Sequence, residues 1–179
     1  MPQSYCLDGQ SDIKFPIGMS GIRLELDALV IEGSMPAIKN LSKCLERASV
    51  DIEEMILAPI AAARAVLTKR QKELGVVLVD IGAGTTGVCV YEEGDIVHTA
   101  VLPVGGTHIT NDIAIGLKSS IDMAEEVKIL YGSAVATGKD EPIDFSKIDS
   151  TEEGFSSTAK VSHIIEARIS EIFSLLIKS

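Results

Sequence analysis

The stretch that decides the fold occupies residues 76–91 and has the sequence Val76-Val77-Leu78-Val79-Asp80-Ile81-Gly82-Ala83-Gly84-Thr85-Thr86-Gly87-Val88-Cys89-Val90-Tyr91. It begins as an apolar strand that ends on an acid and continues into a glycine-threonine turn. Glycine permits positive φ and lets backbone N–H groups approach an anion closely, and threonine adds hydroxyl donors. Residues 82–86 therefore predict a phosphate-binding turn, and Asp80 is placed to orient a hydrated divalent cation.

The same glycines also satisfy the spacing G-x-G-x-x-G through Gly82, Gly84 and Gly87. A dinucleotide-binding site of that type needs a helix that begins at the glycines, and a P-loop needs a lysine after them. Here residues 88–91 favour a second strand and residues 96–101 favour a third, and no such lysine follows. The pattern of strand, turn, strand argues against both sites, and an ordinary hairpin turn remains the alternative to a phosphate site.

Two further features lie downstream of this turn. The pair Gly105-Gly106 opens a predicted helix, and the unpaired N–H groups at a helix start suit a phosphate or a ribose hydroxyl. A tight turn before a core helix is the structural alternative. On the next predicted helix, residues 121–131, Glu125 and Lys128 stand three apart and share one face, which by itself indicates an exposed ion pair.

The first part of the chain predicts a small mixture of strands and one helix. Residues 5–7 and residues 22–31 have the composition of strands, the second one with a bulge. Ser34 is a predicted N-cap and Pro36 stands in the first turn of the helix that follows. Residues 52–57 predict another short strand.

The middle of the chain predicts a helix and a connector. Residues 58–67 are rich in alanine and predict a helix that permits close packing. The polar residues 68–73 predict a connector, and we place a domain boundary near Gly75.

The end of the chain predicts helices around a polar loop. Ser119 and Asp122 have capping-box spacing at the start of a helix. Residues 132–157 are polar and predict a loop with one or two short strands. A long amphipathic helix follows, with apolar residues recurring at helical spacing on one face.

The composition limits the classes of function. The 179 residues have a formal net charge of −10, and general nucleic-acid binding is not expected because a phosphate backbone requires a basic surface. Apolar residues make up 46% of the chain, which is ample for a core. No apolar run approaches the roughly 20 residues of a membrane span, and no signal peptide is predicted. Membrane association is therefore expected only through a partner or another segment.

Neither the cysteines nor the histidines form a recognisable site. Cys6, Cys44 and Cys89 lie far apart without C-x-x-C spacing, which favours three unreactive thiols in a reducing, cytosolic compartment. The three histidines lie on separate predicted elements, so neither a metal cluster nor a Ser-His-Asp site is predicted. His108, beside the glycine pair, is a candidate for a supporting role.

Several motifs, in collinear order over nearly the whole chain, resemble the bacterial cell-division family FtsA. They are Asp8-Gly9-Gln10, the segments 16–25, 79–86 and 103–114, and Ile165-Glu166-Ala167-Arg168. The resemblance implies an α/β fold: an actin-like (ribonuclease-H-like) ATPase lobe with part of a small α+β subdomain. It also implies that ATP with Mg²⁺ binds between two lobes.

The resemblance assigns roles to the motifs. Residues 80–86 would be the second phosphate loop, Gly105 and Gly106 a phosphate-proximal turn, and Glu125 with Lys128 a pair beside the nucleoside. Asp80 would hold Mg²⁺ through water, and no catalytic residue is predicted. The implied nucleotide-binding residues are Asp80, Gly82, Ala83, Gly84, Thr85, Thr86, Gly105, Gly106, Glu125 and Lys128.

The resemblance also identifies family segments that the sequence lacks. These are the first phosphate loop, the adenosine-side glycine motif, the region that binds FtsZ and the C-terminal amphipathic membrane helix. We therefore expect an internal fragment or a truncated gene product. Its predicted parts are a partial small subdomain at 1–57, a connecting helix and linker at 58–75, and a C-terminally truncated nucleotide-binding lobe at 76–179.

For the full-length protein, the resemblance implies an ATP-binding adaptor that links the FtsZ ring to the cytoplasmic membrane at the division site. It implies self-association into filaments, recruitment of other division proteins and weak ATP hydrolysis at most, rather than an enzyme. Two alternatives stay open. One is an actin-like pilus-assembly or scaffold module, and the other is a sugar or acid kinase of the same superfamily, although a catalytic acid and an acceptor pocket are not visible.

Overall fold

The computed structural model describes residues 1–135, 140–150 and 154–178. The chain forms two compact units, one made of residues 1–78 and 89–99 and the other of residues 79–88 and 100–179. The division passes through three strands between residues 76 and 102. The predicted functional domains at 1–57, 58–75 and 76–179 stay a prediction.

The first unit contains a three-stranded antiparallel sheet. Its strands are β1 (Pro2–Leu7), β2 (Gln10–Ile13) and β3 (Leu24–Ala28), in the order β2-β1-β3. Asp8 and Gly9 take positive φ, 49° and 88°, and form the turn between β1 and β2. The strand predicted over residues 22–31 is shorter than expected, because β3 ends at Ala28.

The helices of this unit are α1 (Met35–Arg47), α2 (Ala58–Val66) and α3 (Lys69–Leu74). The predictions of α1 and α2 are confirmed, including Ser34 as the N-cap residue of α1. The strand predicted over residues 52–57 is wrong, since these residues pair with no strand in the described part of the chain.

The connector predicted over residues 68–73 is also wrong in part, because it contains α3. The Thr68 side chain accepts a hydrogen bond from the Gln71 N–H at 3.3 Å, and the Gln71 side chain accepts one from the Thr68 N–H at 2.9 Å. This reciprocal capping box satisfies two N–H groups at the helix start. It therefore allows a short, highly charged segment to form a helix.

A small apolar core in the first unit lies between α2 and residues 89–91. Its buried members are Ile60, Ala63, Cys89 and Tyr91. The Lys72 ammonium lies 5.1 Å from the centre of the Tyr91 ring, which is a cation–π distance. Burial raises the pKa of the Cys89 thiol, which disfavours the thiolate form. All three cysteines are free.

Residues 76–102 form three strands, as predicted. They are β4 (Val76–Ile81), β5 (Thr86–Glu92) and β6 (Asp95–Leu102), in the order β4-β5-β6. Glu93 and Gly94 take positive φ, 50° and 91°, as a two-residue hairpin turn requires. A strand, and not a helix, follows the glycines, and this observation excludes the dinucleotide-binding arrangement.

The second unit is mainly helical. It contains α4 (Gly106–Leu117), α5 (Ile121–Tyr131), β7 (Pro142–Asp144), a 3₁₀ turn (Phe145–Lys147), β8 (Phe155–Ser157) and α6 (Thr158–Lys178). β7 and β8 pair antiparallel, and they lie within the predicted loop at 132–157. Residues 136–139 and 151–153 of that loop lie outside the described residues. In the part of the chain that the structure describes, no helix is both long and apolar enough to cross a membrane.

The core of the second unit lies where α4, α5 and α6 meet the β7–β8 pair. Its buried members are Ile109, Ile113, Ala114, Met123, Ala124, Val127, Ile143, Phe145, Val161 and Ile165. A fully buried aliphatic side chain contributes roughly 1.5–3 kcal/mol. This core therefore fixes α4 and α5, the two helices that present the predicted site residues.

The capping residue of α5 differs by one position from the prediction, although the helix has the predicted bounds. The Ser120 side chain, and not that of Ser119, accepts the hydrogen bond from the Met123 N–H at 3.2 Å. Ser119 instead closes α4, because its N–H donates to the Ala114 carbonyl at 3.1 Å after Lys118 takes a left-handed conformation. This is the usual way in which a Schellman motif satisfies the last carbonyls of a helix.

Candidate functional site

The loop between β4 and β5 is exposed and closed by one hydrogen bond. The Gly82 N–H donates to the Thr85 carbonyl at 2.8 Å, and residues 81–85 are solvent-exposed. A Cβ added to Gly84 would meet nothing within 4 Å. Glycine permits positive φ, but neither Gly82 nor Gly84 is among the residues with positive φ. Gly84 instead leaves open space beside the backbone of the loop, whereas a Cβ at Gly82 would lie 3.2 Å from the Thr85 carbonyl oxygen.

The loop is bonded directly to the start of α4. The Gly106 N–H donates to the Gly82 carbonyl at 2.9 Å, and the Thr107 N–H donates to the Ala83 carbonyl at 2.8 Å. The prediction that these N–H groups are unpaired is therefore wrong. They hold the loop, and whether Gly105 and Gly106 also border a phosphate stays a prediction.

Gly105 permits this close approach. A Cβ at this position would lie 2.4 Å from the Gly82 carbonyl oxygen and 2.7 Å from that of Ala83. Real Cβ atoms essentially never come within 3.0 Å of another heavy atom. The absence of a side chain at Gly105 is therefore a steric requirement of the contact between the loop and the helix.

His108 supports the same turn from within the helix. The Gly105 N–H donates to His108 Nδ1 at 3.1 Å, and the His108 N–H donates to the Gly105 carbonyl at 3.0 Å. A ring nitrogen accepts a hydrogen bond only when it is unprotonated. The predicted supporting role of His108 thus has a definite geometry, which resembles a capping box with histidine at the third helical position.

Thr86 faces the interior of the unit. The residue is fully buried and its hydroxyl donates to the Val104 carbonyl at 2.7 Å. Its hydroxyl is therefore not available as a phosphate donor, contrary to expectation. Thr85, which is exposed, is the threonine of the loop that a ligand can reach.

Asp80 stands at the end of β4, adjacent to the loop. Asp80 is exposed to solvent, and so is the neighbouring Ile81. Among the residues that the structure describes, no group of three His, Cys, Asp or Glu side chains is arranged to hold a metal ion. Coordination of Mg²⁺ by Asp80 through water stays a prediction.

Glu125 and Lys128 form an ion pair that also contacts α4. The Lys128 Nζ atom lies 2.6 Å from Glu125 Oε2. The Lys128 side chain is 22% exposed and the Glu125 side chain is 44% exposed. Thr110, which is 2% exposed, donates to the same Glu125 oxygen at 2.5 Å and accepts from Lys128 Nζ at 2.9 Å. Hydrogen bonds from Lys128 and then from Thr110 lower the pKa of the Glu125 carboxyl. The pair is thus more than the exposed ion pair that local spacing indicates.

Sequence reasoning missed Thr110, because it precedes Glu125 by 15 residues and belongs to another helix. It also missed the partner of Arg168. This guanidinium donates to both carboxylate oxygens of Asp112, at 2.6 and 2.9 Å, and to Glu171 at 2.5 Å. Asp112 raises the pKa of Arg168, and the bidentate pair joins α6 to α4.

A cavity of about 690 Å³ lies beside the ion pair of Glu125 and Lys128, and Glu125 is one of its lining residues. Its lining residues are Asp122, Met123, Glu125, Glu126, Ile148, Asp149 and Ser150. Four of these side chains are acidic, so this cavity disfavours a phosphate and favours neutral or cationic groups. Phosphate chemistry is better matched to the exposed loop at residues 82–85.

Two family models match parts of this chain. The family model described as the SHS2 domain inserted in FtsA matches residues 1–32, and the model for the cell division protein FtsA matches residues 77–166. These ranges fall within the predicted small subdomain and the predicted lobe.

The relatives and one solved structure extend the match. The chain is 39% identical over 178 residues to the cell division protein FtsA of Pseudomonas aeruginosa, covering 98% of this chain and 43% of that protein. It is 38% identical over 178 residues to that of Bacillus subtilis, covering 98% and 40%. The chain thus spans about two fifths of the length of these relatives.

The crystal structure of MreB5 of Spiroplasma citri bound to ADP matches with a TM-score of 0.64 at 22% identity, over 82% of this chain and 47% of that one. This likeness establishes the actin-like α/β fold. From the family models, the relatives and the fold together, the chain belongs to the FtsA family of cell-division proteins.

Proposed function

We propose that this chain is the part of an FtsA-type adaptor that binds one side of ATP and Mg²⁺. The observation that supports the proposal is the loop at residues 82–85, which is exposed and bonded through its carbonyls to α4. The open space at Gly84 lets a ligand approach the backbone of the loop. Loops of this kind bind phosphate through backbone N–H groups.

The family resemblance, together with the positions of the residues, supports the proposed roles. Residues 82–85, with the Thr85 hydroxyl, would contact the phosphates, and Asp80 would orient the hydrated Mg²⁺. Glu125 and Lys128 would lie beside the nucleoside. In this proposal Thr86, Gly105 and Gly106 act by holding the loop.

In the cell, we propose a structural role and not an enzymatic one. The adaptor would link the FtsZ ring to the cytoplasmic face of the membrane at the division site, self-associate into filaments and recruit other division proteins. ATP hydrolysis would be weak, as the family resemblance implies.

Calorimetric titration of the chain with ATP and Mg²⁺ tests the nucleotide proposal. We expect Gly84→Val to weaken binding about tenfold or more, because its side chain fills the open space beside the loop. Gly84→Ala is the graded control and should weaken binding less. Circular dichroism and the unfolding midpoint should be unchanged in Gly84→Ala, since its Cβ would meet no atom within 4 Å, and the same measurements show whether Gly84→Val keeps the fold.

Two outcomes would contradict the proposal. Equal affinity of the unsubstituted chain and Gly84→Val would exclude this loop as the phosphate contact. Release of ADP that depends on an added sugar or acid acceptor, at a rate well above background, would favour a kinase of the same superfamily over an adaptor.

Asp80→Ala tests the role of Asp80 in holding Mg²⁺. This variant should reduce the enhancement of ATP binding by Mg²⁺ without abolishing the binding measured in EDTA.

A further inference from the structure

Thr110 has an unusual position among the residues of the site. It lies in the second turn of α4, one turn beyond the residues whose N–H groups hold the loop. Its residue is 2% exposed and its hydroxyl contacts both Glu125 and Lys128 on α5. A single buried hydroxyl therefore connects the ion pair to the helix that holds the loop.

The hydrogen-bonding capacity of the hydroxyl explains why this arrangement is specific. A threonine hydroxyl has one proton to donate and lone pairs to accept. Here it accepts from the Lys128 ammonium at 2.9 Å and donates toward the Glu125 carboxylate at 2.5 Å, with the Gly106 carbonyl as a more distant acceptor at 3.3 Å. The side chain thus bonds to the cation as acceptor and to the anion as donor.

The β-branched side chain also restricts where the hydroxyl points. Threonine has few χ1 rotamers in a helix, and they are favoured by a bond to the carbonyl four residues earlier, which here is Gly106. Without this contact, Glu125 and Lys128 would be an ordinary pair three residues apart, free to take other rotamers. The hydroxyl of Thr110 on α4 therefore holds Glu125 and Lys128 in one position relative to α4.

We propose that Thr110 is a positioning residue, which holds Glu125 and Lys128 at a fixed place relative to the phosphate-binding loop. The proposal rests on the proposed function, in which that pair lies beside the nucleoside. The loop and the pair would then keep one spacing, because α4 binds the loop through Gly106 and Thr107 and binds the pair through Thr110. A nucleotide must contact both places at once, so this spacing controls its affinity.

The test compares two variants of the chain. Thr110→Val has nearly the same shape and lacks the hydroxyl, whereas Thr110→Ser keeps the hydroxyl. The first measurement is the pKa of the Glu125 carboxyl by NMR titration, which needs no ligand. Every variant keeps Lys128 and the acidic residues that line the same cavity as Glu125, which are Asp122, Glu126 and Asp149. Their effect on the pKa of Glu125 is therefore a constant background.

We expect Thr110→Val to raise the pKa of Glu125 toward its ordinary value and Thr110→Ser to leave it lowered. The second measurement is the affinity for ATP with Mg²⁺, which should fall about tenfold in Thr110→Val and less than about twofold in Thr110→Ser. If Thr110 had a merely structural role, the unfolding midpoint of Thr110→Val would fall, but the pKa of Glu125 and the affinity for ATP would not depend on the hydroxyl.

An unchanged pKa of Glu125 in Thr110→Val would overturn the proposal, as would unchanged nucleotide affinity when the unsubstituted chain binds. If the unsubstituted chain binds no nucleotide, the proposed function fails for this chain. The pKa comparison then decides alone whether Thr110 positions the pair. The two failures are therefore distinguishable.

Discussion

Replacing Gly105 by alanine should disrupt the contact between the loop and α4. The new Cβ would lie 2.4 Å from the Gly82 carbonyl oxygen and 2.7 Å from the Ala83 carbonyl oxygen. Both neighbours are backbone atoms, so no side-chain rotation relieves the contact. The loop and the helix must move apart, and the hydrogen bonds from the N–H groups of Gly106 and Thr107 lengthen or break.

The magnitude follows from these two effects. An intramolecular hydrogen bond contributes about 1 kcal/mol net, and forcing an extra carbon into a packed site costs about 1–3 kcal/mol. The loss of two bonds with the steric cost gives a destabilisation of about 3–5 kcal/mol. For a chain of this length that corresponds to a fall of about 6–20 °C in the unfolding midpoint.

Urea denaturation followed by circular dichroism measures this loss, and amide hydrogen exchange localises it to residues 82–85 and α4. Gly106→Ala is the matched control, because its Cβ would lie 3.7 Å from the Gly82 carbonyl oxygen, an ordinary contact. Alanine also favours the helix, so the control should be equal to the unsubstituted chain or more stable by up to about 1 kcal/mol. If Gly105→Ala were as stable as Gly106→Ala, the steric argument would be refuted.

Three further outcomes are expected. Thr86→Val should lose about 1–3 kcal/mol because it leaves the buried Val104 carbonyl without its donor, whereas serine at this position should retain most of the stability; equal denaturation midpoints would contradict this. Arg168→Lys should lose about 1–2 kcal/mol because lysine cannot make both bonds to Asp112, and a double-mutant cycle with Asp112→Asn should show coupling. The carboxyl of Glu125 has a pKa lowered by the neighbouring lysine and threonine, so its stabilisation is present above its ordinary pKa of 4.5 and is lost as the pH falls through the lower folded value. Denaturation midpoints across this acidic range should depend less on pH in Glu125→Gln.

Much of the fold could be predicted because local signals agreed with the tertiary structure. The strand that ends at Ile81, the turn after it and β5 followed from apolar runs separated by glycine and threonine. The helix α5 was predicted with the bounds that the structure has, residues 121–131. Apolar periodicity succeeds here because these elements bury one continuous face in a core.

The failures came where a pattern depends on distant partners or on capping. Residues 52–57 have the composition of a strand but no neighbouring strand in the described part of the chain, so their backbone does not form a ladder. The helix α3 depends on a capping box between Thr68 and Gln71 and has no apolar stripe to reveal it. The bond between Thr110 and Glu125 joins two helices, and no local spacing encodes it.

The bonds between the loop and α4 have a kinetic consequence. Because the carbonyls of Gly82 and Ala83 are already paired with helix N–H groups, the loop is shaped before any ligand arrives. Little conformational entropy remains to be lost when an anion enters, and no slow closing step precedes the contact. Association at residues 82–85 should therefore be limited by diffusion and orientation, and differences in affinity among variants should appear mainly in the rate of release.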